Sequence, residues 1–390
     1  SRRNMGRYLA HDAIVHFILF QSVLLLVLFS NLLLLRKARR GKHPRILPRV
    51  SILVPARNEE KNIARLVNSL LAQDYPDFEV LVLDDESTDG TYAVLASLAQ
   101  SNPKIRVLRG APATGGLTGK NWACAQLASQ ATGEVFLFTD ADTVYQPNAV
   151  RELAACLTRE RADFLTGFPG QELGSCGEKL LVPFFSWAVL NFIWLWLAYR
   201  LRWKALAVGI GQVMVFRREA YEKIGGHAGL GEEIVDDRAL AQKVIAAGLR
   251  WRAVHLSDLV RCRMYFSAKD AMEGFSKNYF AAFDFAVVPY VFVYLYLFLL
   301  SWLPWLVILI KALGAAPAAN WLHLGLCVGL SLLLWLLPFA EVRVPLRLAL
   351  LYPIFNAAST LVALRSLVLS LSGRLAWKGR SLRVPRWKWF

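Results

Sequence analysis

Acidic residues are scarce in this chain, and paired cysteines are absent. The 390 residues hold 29 Asp and Glu against 45 Lys and Arg, a formal charge of +16. The five cysteines, Cys124, Cys156, Cys176, Cys262 and Cys327, are odd in number and form no CxxC pair. That excludes a disulfide framework or a cysteine zinc site and fits free thiols facing a reducing compartment. No Gly-rich phosphate loop of the form GxxxxGK[ST] occurs, so P-loop ATPases and kinases have no support. Internal repeats and low-complexity stretches are missing as well. Charged residues make up only 19% and hydrophobic ones 56%. This much apolar surface excludes disorder as the main state and is rare in a plain soluble domain.

The apolar residues are unevenly spread. Residues 13–35 form an uncharged apolar run. At about 1.5 Å per residue it is long enough to cross a bilayer core of about 30 Å, so residues 1–35 read as a transmembrane anchor. It is too long, and lacks a small-residue cleavage site, for a signal peptide. Three more candidate spans, 287–310, 321–340 and 346–371, lie within a C-terminal membrane region, 287–371. Between the two regions, 50–265 reads as a water-soluble domain, followed by an amphipathic segment at 266–286. Segment 180–199 is apolar and Trp-rich but lies inside the soluble domain. A helix in the headgroup layer is preferred there over a fifth span, which would split the domain across the membrane.

The positive charge is concentrated beside these runs. Residues 36–49 carry seven basic residues and no acid, and the tail at 372–390 carries six and no acid. Basic flanks mark the cytoplasmic side, so domain and tail are both expected there, in a multi-pass protein of the cell membrane. The charge then reflects topology and anionic headgroups, and no nucleic-acid partner is expected. Two flanks on one face require an even number of crossings between them, yet three candidates intervene. Either one is re-entrant or interfacial, or the tail breaks the rule. Segment 346–371, interrupted by Arg347, Pro353 and Arg365, is the weakest span.

Inside 50–265, short β-branched runs alternate with helical periodicity. Strands are expected at 50–55, 79–83, 105–108 and 134–139. Helices are expected at 59–73, 89–100 and 120–130, with another opening on Pro147 at its first position. This order predicts a doubly wound α/β domain with a mostly parallel sheet. In such sheets ligands sit at the carboxyl ends of the strands. The acidic pairs Asp84-Asp85 and Asp140-Ala141-Asp142 both fall at strand ends. Like charges this close need a cation or a donor-rich ligand. Two carboxylates in Asp-X-Asp suit one hard divalent cation, Mg²⁺ or Mn²⁺, with positions left for substrate phosphates.

The run SILVPARNEEKNI (51–63), the strand end LVLDDESTDGT (81–91) and TDADT (139–143) together resemble the family 2 glycosyltransferases of GT-A fold. The resemblance extends from Val50 to Tyr265. It implies that Pro55, Arg57, Glu59 and Asp85, with Asp84 beside it, hold the nucleotide of a UDP-sugar. It also implies that Asp140 and Asp142 form the nucleotide–metal motif. GLGEEIVDDRALAQKVIAAGLRW (229–251) is similar to the family's Glu-Asp motif at an acceptor-side helix, here Asp236-Asp237. Asp237 is the expected base that takes the acceptor's proton, Asp236 the alternative, and Glu232 and Glu233 more remote candidates. Lys120 in LTGKNWA and Gln212 in the Gly-rich strip 209–226 are further expected donor contacts. Arg261 and Arg263, also expected as donor contacts, stand where processive members and ceramide glucosyltransferases carry a Gln/Arg-X-X-Arg-Trp motif, which is absent. LVRCRMYFS, GFSKN (274–278) and WKGR (377–380) look like the bacterial branch that glycosylates lipids, similar to ceramide glucosyltransferase and to carotenoid and hopanoid glycosyltransferases.

The resemblance therefore implies a membrane-bound, inverting, metal-dependent transfer of a sugar from a UDP-sugar to the hydroxyl of a ceramide-, carotenoid- or hopanoid-like lipid. A polyprenyl-phosphate sugar synthase is the alternative, and a processive polysaccharide synthase comes third. His227 and His255 are expected to be structural.

Overall fold

The computed structural model describes residues 2–38, 47–112, 119–231, 233–314, 319–382 and 384–390. Most of the basic linker, the start of the LTGKNWA strip and Glu232 lie outside the described residues.

The N-terminal apolar run forms helix α1 (Arg2–Ala38). Strand β1 (Val50–Ala56) follows, then α2 (Ile63–Leu71), β2 (Phe78–Asp84), α3 (Thr91–Ser101), β3 (Ile105–Arg109), α4 (Gly119–Gln130) and β4 (Val135–Phe138). Next come β5 (Thr143–Tyr145), α5 (Ala149–Arg159), β6 (Phe164–Phe168), β7 (Gly170–Gln171), α6 (Cys176–Phe192) and α7 (Leu195–Leu201). Strand β8 (Met214–Arg217), α8 (Arg218–Lys223), α9 (Asp236–Ala246), β9 (Trp251–His255) and β10 (Val260–Cys262) complete the α/β part.

The main sheet has seven strands in the order β3-β2-β1-β4-β8-β6-β9, and β8 alone runs antiparallel to its neighbours. A small sheet, β5-β10-β7, sits beside it. Side chains alternate between the two faces of β1. Ile52 and Val54 join the core under α2 and α5, and Leu53 joins the opposite core under α4. That two-sided burial is why the strand reads as a continuous apolar run. β2 and β4 flank β1, so the chain reverses its winding direction at β1–β4. In open α/β sheets the crevice at the carboxyl end of such a point is where ligands bind.

Two sequence expectations are corrected here. Pro147 precedes its helix, which is N-capped by Asn148. The helix expected over 59–73 begins only at Ile63, because Glu59 and its neighbours turn toward the β2 loop. Asn58 and Glu86 both take left-handed backbone conformations in these facing loops, and the Asn58 side chain accepts from Thr88 N at 2.8 Å. Residues in this conformation carry strain and collect at functional sites.

After the α/β part come α10 (Ala268–Asn278), α11 (Val287–Ala312), α12 (Trp321–Glu341) and α13 (Tyr352–Leu371), then a hairpin of β11 (Ala376–Trp377) and β12 (Arg380–Ser381). By length and composition, four segments among the described residues are able to cross a membrane: 11–36, 287–312, 321–341 and 346–371. α6 and α7 pass the same test only as a pair, bent by 52° at the break between them. The break is held by α1. Asn31 Nδ2 donates to Leu190 O at 2.8 Å, and its Oδ1 accepts from Leu195 N at 2.9 Å. Asn31→Leu leaves these buried backbone groups unpaired, at roughly 1–3 kcal/mol each. A lower unfolding temperature in detergent is the expected result; an unchanged one would show that the break closes without Asn31.

The ends of the apolar segments define their course. α12 returns to the α/β domain, where Glu341 bonds His255 and pairs with Arg36 at 3.1 Å. α13 begins beside the middle of α11, with Trp305 Nε1 donating to Tyr352 OH at 2.8 Å. Near its end Ser366 Oγ donates to Ser276 O at 2.6 Å, on α10. Segment 346–371 therefore starts after one contact with the domain and finishes at another.

Candidate active site

Two of the expected acidic pairs lie at the carboxyl end of the main sheet. Asp84 and Asp85 end β2, and Asp140 and Asp142 follow β4. Pro55 sits in β1 in register with Leu83 of β2, and Arg57 Nη1 donates to Asp85 O at 2.6 Å. The buried Oδ1 of Asp84 has no hydrogen-bond partner among the described residues. Glu59 closes this corner, accepting from Asn62 at 2.9 Å.

The second half comes from α9. Asp236 and Asp237 occupy its first turn, where the helix dipole favours negative charge. Asp237 Oδ1 accepts from Arg238 N at 2.7 Å, and Oδ2 accepts from Gly211 N at 2.9 Å. Lys120 Nζ joins the two halves, 2.9 Å from Asp140 and 3.4 Å from Asp236. Gly211 marks the junction. A Cβ there would lie 3.4 Å from Asp140 Oδ2, 3.4 Å from Lys120 Nζ and 3.5 Å from Asp237 Oδ2. Gly209 packs still closer, since a Cβ would fall 2.1 Å from the Asp237 carbonyl oxygen. The Gly-rich strip thus lets α9 approach the Asp-X-Asp loop.

The two adjacent acids of α9 have different protonation behaviour. Burial, reinforced by the charge of Asp236, pushes Asp237 up to about 7. Burial also opposes ionisation of Asp236, but the Lys120 ammonium holds it below the usual range. Such divergence between neighbouring carboxyls is how a site obtains a base that works near neutral pH. Lys120 remains charged: burial disfavours it, but Asp140 and Asp236 hold its pKa well up.

Burial, then the charges of Asp140 and Glu59, raise Asp142 to about 7. This excess of converging negative charge fits a hard divalent cation at Asp140 and Asp142. Among the described residues no three ligating side chains come together, so the two carboxylates would share the ion with oxygens of a substrate.

Other expected residues are placed differently. The Gln212 side chain turns to Met264 Sδ at 3.2 Å, while its carbonyl accepts from Thr139 Oγ1 at 2.9 Å. Arg261 is exposed on β10, where its charge acts on Glu172. Arg263 pairs with Glu178 at 3.1 Å, bracing α6 against the small sheet. His227 is fully buried, bonded to Tyr221 OH at 2.8 Å, and desolvation lowers it to about 4. It is neutral and structural. His255 differs: burial disfavours its charge, but the hydrogen bond and charge of Glu341, with those of Asp258, raise its pKa, and it serves as a structural partner of Glu341. Three cations were not assigned to the site from sequence. Lys277 is half-buried, with its charge acting on Asp236, and desolvation followed by repulsion from Lys120 lowers it to about 8. Lys378 and Arg380 reach Glu59 and Asp85 from the far end of the chain. Their signal was present in GFSKN and WKGR, but nothing local says what those strips touch.

Residues 51–225 match the model of the family described as Glycosyl transferase family 2. The beta-monoglucosyldiacylglycerol synthase of Nostoc sp. is 41% identical over 118 residues, covering 30% of this chain and 25% of that protein. The enzyme of the same name from Synechocystis sp. is 38% identical over 109 residues, covering 27% and 22%. The chain thus spans about a quarter of the length of these curated relatives. Among solved structures, the mannosyltransferase PcManGT from Pyrobaculum calidifontis, in complex with GDP-Man and Mn²⁺, is 21% identical with a TM-score of 0.47. The match covers 88% of this chain and 99% of that one. With its acidic loops at the carboxyl ends of a mostly parallel sheet and this family match, the chain carries a family 2 glycosyltransferase domain at residues 51–225.

Proposed function

We propose that the protein is a membrane-bound, inverting glycosyltransferase that moves a sugar from a UDP-sugar to the hydroxyl of a membrane lipid. The observation that carries this reading is the meeting of Asp237, Lys120 and Asp140 around Gly211, in a domain packed directly onto apolar helices. Diacylglycerol is the first acceptor to test, because relatives 41% and 38% identical over 118 and 109 residues are named for it. Ceramide-, carotenoid- and hopanoid-type alcohols follow. A polyprenyl-phosphate acceptor is less favoured, because its phosphate oxygen is already ionised and needs no base.

In the proposed reaction, Asp237 takes the proton of the acceptor hydroxyl as its oxygen attacks the anomeric carbon. The bond from that carbon to the diphosphate breaks on the opposite face, and UDP leaves with the electron pair. Gly211 N and Arg238 N fix the orientation of the carboxylate. Lys120 places positive charge between base and donor. Asp140 and Asp142 would hold Mg²⁺ or Mn²⁺, which supplies Lewis-acid stabilisation of the leaving diphosphate when bound.

The test is an assay of purified protein with UDP-glucose and diacylglycerol in mixed micelles, with the product identified by mass spectrometry. No glycolipid from any of several nucleotide sugars and lipid alcohols would overturn the proposal. Chelation of divalent metal with EDTA is expected to abolish transfer, and Mg²⁺ or Mn²⁺ to restore it.

The same reading covers topology. The tail touches the glycosyltransferase domain, so both lie on one side, the cytoplasmic side by their basic flanks. α11 and α12 then make the even pair of crossings, and 346–371 enters and leaves from the same face. A single cysteine at Gly373, in a chain stripped of its own cysteines, is expected to react with an impermeant maleimide only after the cytoplasmic face is opened. Labelling in intact cells would reverse the assignment.

A further inference from the structure

We propose that the C-terminal hairpin completes the donor site, with Lys378 and Arg380 as the cations that receive the phosphates of the nucleoside diphosphate. The inference rests on the donor proposed above and assigns two residues to it from outside the family domain, which ends at residue 225 in the family match.

The hairpin is built to present these side chains. Ala376 pairs with Ser381 and Trp377 with Arg380, leaving Lys378-Gly379 as a two-residue turn. Both turn residues have positive φ, 45° and 78°, the conformation that matches the twist of paired strands. The tail is anchored on both sides of the turn. Lys277 Nζ lies over the Trp377 ring at 4.9 Å, and Lys388 N donates to Phe285 O at 3.0 Å. Lys378 Nζ donates to Arg57 O at 2.8 Å and also bonds Glu59. Arg380 Nη1 donates to Asp85 Oδ2 at 2.7 Å, while Nη2 reaches Asp85 and Glu86.

The domain makes room for this contact. A Cβ on Gly119 would lie 1.8 Å from Arg380 Nη1 and 3.0 Å from Asp85 Oδ2, so the guanidinium tip rests directly against position 119 and a side chain there would displace it from this seat. The next residue, Lys120, binds Asp140, so the tail and the Asp-X-Asp loop meet across one turn of α4.

Charge balance gives the pairing its purpose. Glu59, Asp85 and Glu86 crowd the mouth of the nucleotide pocket. From within the domain Arg57 lies 3.8 Å from Glu86, while Lys120 is committed to Asp140 and Asp236. Without the tail, a polyanionic donor would enter a field of its own sign. The arginine fork suits phosphate as well as carboxylate, and the lysine supplies a mobile point charge.

Titration calorimetry of the full-length protein in detergent, with Mn²⁺ present, compares UDP with uridine. Lys378→Ala and Arg380→Ala are each expected to weaken UDP binding about tenfold or more, while uridine affinity changes less than about twofold; a tenfold change is about 1.4 kcal/mol. Arg380→Lys should fall between, and Arg374→Ala, in the same tail, should bind like the parent. Gly119→Ala keeps every charge but removes the guanidinium seat, and should weaken UDP binding too. It also guards against a misfolded arginine variant. UDP binding as tight as the parent's, or tighter, in Arg380→Ala would overturn the inference and make the hairpin a latch that competes with the donor. Equal losses for UDP and uridine would overturn it as well. A parent protein that binds no UDP would overturn the proposed donor, and this inference with it.

Discussion

Asp237→Asn is expected to lower transfer by about 10²–10⁴-fold while leaving UDP binding intact, the range spanned by loss of a general base. The amide keeps the shape of the carboxylate but can accept from only one of Gly211 N and Arg238 N, and it takes up no proton. Comparing initial rates with UDP affinity separates this role from a structural one. Full activity in the variant would remove Asp237 from the mechanism and bring Asp236 forward.

The same residue fixes the pH dependence. Burial and the charge of Asp236 raise Asp237 to about 7, and only its ionised form is a base. Activity is therefore expected above about pH 7 and lost as pH falls through that value, approaching about tenfold per unit well below it. A rate that is flat from pH 5 to 8 would contradict the assignment.

Lys120→Met is expected to have the second-largest effect. The ammonium lies between Asp140 and Asp236 and favours the ionised form of Asp237. Methionine fills similar space but removes the charge, leaving partly buried carboxylates without compensation. The rate should fall at least about tenfold, roughly 1.4 kcal/mol in the barrier. The midpoint of the pH–rate curve should also move upward, because a lost positive charge raises the pKa of a nearby acid. Lys120→Arg keeps the charge and should move the midpoint less. A downward shift in Lys120→Met would show that Lys120 does not act on the base.

The alternation of strands and helices was legible because each strand is buried on both faces and each helix on one, and both patterns have their own period. The acidic loops were legible for a related reason: strand ends are local, so Asp84-Asp85 and Asp140-Ala141-Asp142 had to lie at one edge of a parallel sheet. Arg261 and Arg263 show where this approach stops. Their motif position pointed to the donor, but Arg263 is held by Glu178, a pairing 85 residues distant in the chain.

By itself, the sequence determined the glycosyltransferase domain, its acidic centre, its candidate base and the apolar segments beside it. All of these rest on spacing within one element or loop. Only the tertiary structure decided that Asp237 meets Lys120 and Asp140 around Gly211, that segment 346–371 returns to the domain, and that the basic tail ends on Asp85. The Arg380–Asp85 bond closes a separation of 295 residues. Such closures depend on how helices pack, and no local period records them. The tail's basic residues looked like a topology signal alone; folded, two of them pair with Glu59 and Asp85 at the carboxyl end of the main sheet.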